Sequence, residues 1–168
     1  MTTVQQQEAT VQKITAFLTF NDQAEEAVNL YVSTFKNSRI LSANRYGEGG
    51  PGPAGSLMSC EFELEGQKYV ALNGGPSFSF SDGISLFVSC ETQAEVDELW
   101  AKLTADGGEP GPCGWLKDRF GVSWQIIPTA LGEMLGGPDA EKAGRAMQAM
   151  LQMSKIDIAG LRRAYEGQ

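Results

Sequence analysis

Gly47-Glu48-Gly49-Gly50-Pro51-Gly52 spells G-x-G-x-x-G behind a strand-like segment, the pattern that cradles a dinucleotide pyrophosphate. That chemistry needs a helix to open directly behind the glycines, so that its N-terminal N–H groups receive the phosphates. Here Pro51 and Pro53 lead instead into the strand-like run Ser56 to Leu64, so the segment reads as a loop bordering a pocket, and no nucleotide or adenosylmethionine site is expected. Histidine is absent, which excludes His-based triads and every zinc site built on imidazole. Metal chemistry would rest on carboxylates and thiolates. Glu61, Glu63 and Glu65 alternate along one strand and read as its solvent face. The cysteines Cys60, Cys90 and Cys113 are odd in number and far apart, as expected of reduced thiols in the cytoplasm. Cys113, between Pro112 and Gly114, is the most accessible nucleophile by sequence, but no histidine is present to activate it.

The aromatic residues are sorted by the two-residue period of strands. Phe17 shares a face with Thr15 and Thr19, Phe87 with Ser85 and Ser89, and Trp124 alternates with Ser123 and Gln125. Aromatic and small polar groups are thus interleaved on single faces. Such a face is either solvated or lines a cavity in which a few polar groups orient an apolar ligand.

The elements that position these residues come in a repeated order. Ile14 to Phe20 reads as a strand, and Asp22 with Glu25 resembles a capping box opening a helix over Gln23 to Lys36, whose Ala24, Ala27, Val28, Tyr31 and Phe35 form one apolar stripe. Three strands follow: Ile40 to Tyr46, Ser56 to Leu64 and Gln67 to Asn73. The order then restarts. Ser85 to Cys90 is a strand, and Thr92 with Glu95 caps a helix carrying Val96, Leu99, Trp100 and Leu103. Glu109 to Cys113, Gly114 to Lys117 and Val122 to Ile127 are strands, the first distorted by proline. The helix starts Gln23-Ala24-Glu25 and Gln93-Ala94-Glu95 lie 70 residues apart, as in a duplicated unit.

After Pro128 the pattern is helical: a turn at Leu131 to Leu135, a helix capped by Asp139, and a last one starting at Asp157. Met147, Met150 and Leu151 form an apolar stripe that packs on its own domain or meets a second subunit. The chain therefore divides into a flexible polar leader (residues 1–12), two βαβββ modules (13–76 and 77–128) and a C-terminal helical extension (129–168).

Thirteen basic residues stand against 21 acidic ones, a net charge of −8, which leaves no basic field for phosphates and makes nucleic acid an unexpected partner. No apolar run reaches the roughly 20 residues of a membrane span. The protein is expected to be soluble and cytoplasmic.

Several stretches resemble the PhnB-like branch of the vicinal oxygen chelate (glyoxalase, bleomycin-resistance and extradiol dioxygenase) superfamily, whose members are often labelled 3-demethylubiquinone-9 3-methyltransferase-like. They are Phe17-Leu18-Thr19-Phe20 with Ala24-Glu25-Glu26-Ala27, Ala71 to Pro76, Cys113-Gly114-Trp115-Leu116-Lys117-Asp118, and Gly121 to Pro128. The tail from Met147 to Tyr165 is similar to that branch's C-terminal extension. The resemblance implies an α+β fold in which two tandem βαβββ modules enclose a cleft. It also implies that the superfamily's metal-ligand positions correspond to Thr15, Asn73, Ser85 and Gln125. None of these four is charged, and neutral hydroxyls are poor ligands for divalent ions. The expectation is a metal-free cleft without a cofactor, in which these four and the neighbouring Phe17, Phe87 and Trp115 bind a small molecule. Two alternatives stay open: an enzyme of the same fold (lyase, isomerase, dioxygenase or transferase) drawing its acid or base from Glu, Asp, Tyr69 or Cys113, and a structural homodimer with a vestigial cleft. A homodimer is expected in any case, because the superfamily commonly dimerises.

Overall fold

The computed structural model of the chain describes residues 11–168. All but the end of the polar leader lies outside them. Within that end, Gln12 bridges to strand backbone: its Nε2 donates to Lys68 O at 3.0 Å and its Oε1 accepts from Lys68 N at 3.2 Å. The chain forms two compact units divided between Phe78 and Ser79.

The first unit runs β1 (Ala16–Phe20), α1 (Ala24–Thr34), β2 (Arg39–Arg45), β3 (Leu57–Leu64) and β4 (Gln67–Asn73). Its sheet has the order β1-β4-β3-β2, with β1 and β4 parallel and the other pairs antiparallel. Ala24, Ala27, Val28 and Tyr31 of α1 are buried at helical spacing. They cover one face of the sheet, on which Leu18, Phe20, Cys60, Phe62 and Ala71 are buried. Phe62 stands between Tyr31 and Tyr69, with ring centroids 6.4 and 5.5 Å away.

The expected Asp22–Glu25 box does not form. The helix begins one residue later, with Gln23 at the cap position and no side-chain cap of its own. Asn73, at the end of β4, supplies the acceptor: its Oδ1 receives Ala24 N at 2.9 Å, while its Nδ2 donates to Leu57 O at 3.0 Å. The glycine-rich segment is a loop between β2 and β3, folded against Tyr46; a Cβ on Gly52 would stand 2.6 Å from that ring. No helix follows it, so the phosphate-binding geometry is absent.

The second unit repeats the order as β5 (Leu86–Cys90), α2 (Gln93–Thr104), β6 (Glu109–Pro110), β7 (Trp115–Lys117) and β8 (Ser123–Pro128), with sheet order β5-β8-β7-β6. Thr92 Oγ1 accepts from Glu95 N at 3.2 Å, as a capping box requires, whereas Glu95 Oε2 reaches past Thr92 to Glu91 N at 2.9 Å. β6 is only two residues long, shorter than the strand expected through Cys113, because Pro110 and Pro112 have no N–H to pair. Val96, Leu99, Trp100 and Leu103 pack over Cys90, Leu116, Trp124 and Ile126.

The same unit carries α3 (Thr129–Leu135), α4 (Ala140–Met150) and α5 (Ile158–Glu166), gathered on Leu131, Met134, Ala146, Ile156 and Leu161. Asp139 caps α4 through Glu141 N and Lys142 N, both at 3.1 Å. Asp157 does not cap α5 with its side chain; Gln93 Oε1 accepts from Ile158 N at 2.8 Å instead, and Gln93 Nε2 donates to Ile156 O at 2.9 Å. The extension thus packs on its own unit. Met150 lies against the helical core, and Met147 and Leu151 remain exposed.

Candidate functional site

In each module one sheet face is covered by a helix and the other is not. In the second module the pairing register sets Phe87, Gln125 and Trp115 side by side across β5, β8 and β7 on the face turned from α2. Phe87 is 58% exposed and Trp115 37%, large aromatic surfaces that a folded chain would ordinarily bury. Gln125 Nε2 donates to Ser85 Oγ at 2.9 Å. Four of the seven residues singled out from the sequence therefore share one surface.

Thr15 and Phe17 occupy the corresponding places in the first module, each 70 residues before Ser85 and Phe87. Phe17 is 61% exposed. Its neighbours across β4 and β3 are Val70 and Glu61, and those of Thr19 are Leu72 and Ser59. Val70 thus takes the place that Gln125 holds in the second module. Asn73 does not join this surface. It alternates with Val70 and Leu72, lies on the helix-covered side with Tyr69 and Ala71, and spends both ends of its amide on Ala24 and Leu57. We expect Asn73→Ala to lower stability by about 1–2 kcal/mol through loss of the α1 cap, read as a reduced thermal midpoint.

Sequence reasoning overlooked Phe78. A Cβ on Gly74 would meet Thr19 Cγ2 at 2.5 Å and the Phe78 ring at 2.9 Å, so the ring lies over Gly74 beside Thr19 and extends the apolar surface of the first module. The Gly74-Gly75-Pro76 run was the available signal, since glycine permits close approach. Also overlooked was Asp82, which holds Lys117 at 2.7 Å and keeps its ammonium above the ordinary lysine range. These two border, with Trp115, Glu109, Pro110 and Pro112, an open depression of about 180 Å³ at the β6–β7 edge.

The acid–base candidates are dispersed. Tyr69 is stacked on Phe62 under α1, and burial raises its pKa. Cys113 is held at φ 56° in the turn before β7, its N–H donating to Met153 O at 2.8 Å. Cys60 and Cys90 are buried, and desolvation pushes the Cys90 thiol up to about 12. A thiol whose folded pKa lies above its unfolded value near 9 contributes stability below pH 9 and loses it as pH rises toward 12. The urea midpoint should accordingly fall between pH 8.5 and 10.5, by less in Cys90→Ala than in the parent chain.

Among the described residues, no three His, Cys, Asp or Glu side chains come together where they could hold a metal ion. Thr15, Ser85 and Gln125 offer two hydroxyls and a carboxamide, and Asn73 faces the other way. This donor set does not fit a divalent metal centre, which calls for carboxylates, imidazole or thiolates.

A sequence profile described as 3-demethylubiquinone-9 3-methyltransferase matches residues 12–127. This chain belongs to that family. It is 40% identical to a putative 3-demethylubiquinone-9 3-methyltransferase, PhnB protein, from Bacillus cereus, over 70% of this chain and 99% of that one, with a TM-score of 0.64. Protein PA1353 from Pseudomonas aeruginosa shares the fold at 22% identity, covering 70% of this chain and 98% of its own, with a TM-score of 0.57. A glyoxalase/bleomycin resistance protein from Albidiferax ferrireducens T118 aligns at 18% identity over 67% of this chain and 95% of that one, with a TM-score of 0.43. No curated protein matches. The α+β architecture of two four-stranded sheets and accompanying helices is shared with the PhnB protein from Bacillus cereus. The profile ends at residue 127, so α3, α4 and α5 lie beyond it. No helix among the described residues is long and apolar enough to cross a membrane.

Proposed function

We propose that this PhnB-like chain binds a small, uncharged, largely apolar metabolite without the help of a metal or cofactor. The supporting observation is the alignment of Phe87, Gln125 and Trp115 across three strands, with Ser85 bonded to the central amide. Exposed aromatic rings provide apolar contact, and one neutral polar pair provides direction. Thr15 and Phe17 offer a second surface of the same kind, poorer in hydrogen-bonding groups. A methyl-transfer reaction finds no adenosylmethionine site in the glycine-rich loop, and in the second module the row of Phe87, Gln125 and Trp115 holds no acid or base of its own. Sequestration or carriage therefore suits these side chains better than catalysis.

Native mass spectrometry of the intact chain, followed by thermal shift against a broad metabolite library, tests the proposal. A non-covalent adduct that disappears in Phe87→Ala is the expected result. Stabilisation by no compound, or by compounds indifferent to Phe87 and Phe17, would remove it. The homodimer belongs to the same proposal, with Met147 and Leu151 as the contact because they are the exposed members of the α4 stripe. The mass in solution should halve in Met147→Glu/Leu151→Glu, and a dimer that survives would clear this stripe of the role.

A further inference from the structure

The hydrogen bond between Gln125 and Ser85 does more than satisfy two polar groups. Ser85 precedes Phe87 by two residues, so the bond draws the carboxamide along β5 and out of the row that Phe87 and Trp115 flank. Neighbouring strands lie about 4.8 Å apart, which separates the backbones of Phe87 and Trp115 by about 9.6 Å. Side chains stand roughly perpendicular to a sheet. A flat ring in contact with both neighbours needs about 7–8 Å between them. Strand spacing thus allows a gap the width of one aromatic ring above Gln125, whose carboxamide is drawn toward Ser85 at one end of the row.

The polar end has a defined hydrogen-bonding capacity. With Nε2 engaged by Ser85, Gln125 keeps Oε1 as an acceptor and a second N–H as a donor, and Ser85 keeps its O–H. Turning the carboxamide over makes Oε1 the acceptor of Ser85 O–H and leaves both N–H groups and a second lone pair, so a donor and an acceptor remain in either orientation. A ligand that fills the gap therefore meets an adjacent donor and acceptor, both neutral.

We infer that the second module accepts a planar, uncharged heteroaromatic ring carrying a lactam edge, an N–H beside a C=O, with the ring between Phe87 and Trp115 and the edge paired with the Gln125 carboxamide. The inference rests on the small-molecule reading above and narrows it to one chemical class. A ring without that edge would leave the remaining donor and acceptor of the half-buried amide unmatched, which is the basis of strong discrimination. The first module lacks this preference because Val70 stands where Gln125 does.

Calorimetric titration of the full chain with quinolin-2(1H)-one, 1-methylquinolin-2-one and quinoline is the test. The first should bind about tenfold or more tightly than the other two, the size of one lost hydrogen bond with its partner left dry. Gln125→Leu should bring the three within about threefold of one another, and Phe87→Ala and Trp115→Ala should weaken all three. The comparison among probes needs no variant, so a misfolded Gln125→Leu would not blunt it. Equal binding of the three probes, lost in Phe87→Ala, would overturn the lactam class and leave the aromatic surface standing. Failure of all three, with other metabolites binding in a Phe87-dependent manner, would also overturn this inference alone. Failure of every compound would overturn both readings.

Discussion

Replacing Asp118 by alanine should cost the fold about 3–5 kcal/mol, the largest effect expected of any polar substitution in the chain. The carboxylate is 3% exposed. Its Oδ1 accepts from Phe120 N at 2.9 Å and from Val122 N at 3.0 Å, and its Oδ2 accepts from the Trp124 indole N–H at 2.9 Å. One side chain thus closes the turn between β7 and β8 and fixes the largest buried ring of the second module. Alanine would strand a buried backbone donor and a buried indole donor together. Asparagine separates the two roles. If its Oδ1 keeps the backbone donors, its amide N–H groups confront the indole N–H, and about 1–2 kcal/mol is lost. Most of that loss should vanish when Trp124 is already phenylalanine, because the opposed donor is gone. Urea unfolding followed by near-ultraviolet circular dichroism checks the series. An alanine variant within about 1 kcal/mol of the parent chain would show that the turn does not depend on this carboxylate.

The stripes of α1 and α2 and the two-residue alternation of β3 were legible because each is a local pattern written within a dozen residues. The helix caps were not. Asn73 caps α1 from 49 residues away, and Gln93 reaches Ile158 across 65, so the acceptors nearest in sequence, Asp22 and Asp157, gave no sign that they would be passed over. The site was legible to the extent that strand alternation governs it: Phe17, Phe87 and Gln125 lie on uncovered faces for that reason. Asn73 entered the candidate set through family resemblance, and its own alternation with Val70 and Leu72 would have placed it on the helix side with Tyr69 and Ala71. The Gln125–Ser85 bond joins residues 40 apart, and only the parallel pairing of β5 with β8 makes it visible.

Gly114 explains why the Cys113-Gly114-Trp115 step has no freedom to vary, and Gly114→Ala is expected to destabilise the second module by about 2–4 kcal/mol. Its φ of +83° is a conformation that side chains resist, and a Cβ there would stand 2.6 Å from Ile127 Cδ1, 3.0 Å from Ile126 O and 3.1 Å from Ile156 Cγ1. The backbone cannot retreat. Gly114 N donates to Ser154 O and Gly114 O accepts from Ile126 N, both at 2.8 Å, so the residue is held between β8 and the segment joining α4 to α5. Trp115 follows directly. Any shift that relieves the new methyl group must therefore move the indole that flanks the proposed ligand gap or loosen the helical extension. The variant should unfold at lower urea and lose affinity for a ring probe even where it is fully folded. Cys113→Ala leaves Gly114 and both backbone bonds in place and should keep its affinity within about threefold of the parent chain. If Gly114→Ala lost stability but bound as well as Cys113→Ala, the extension would be a support for the fold alone, with no part in positioning Trp115.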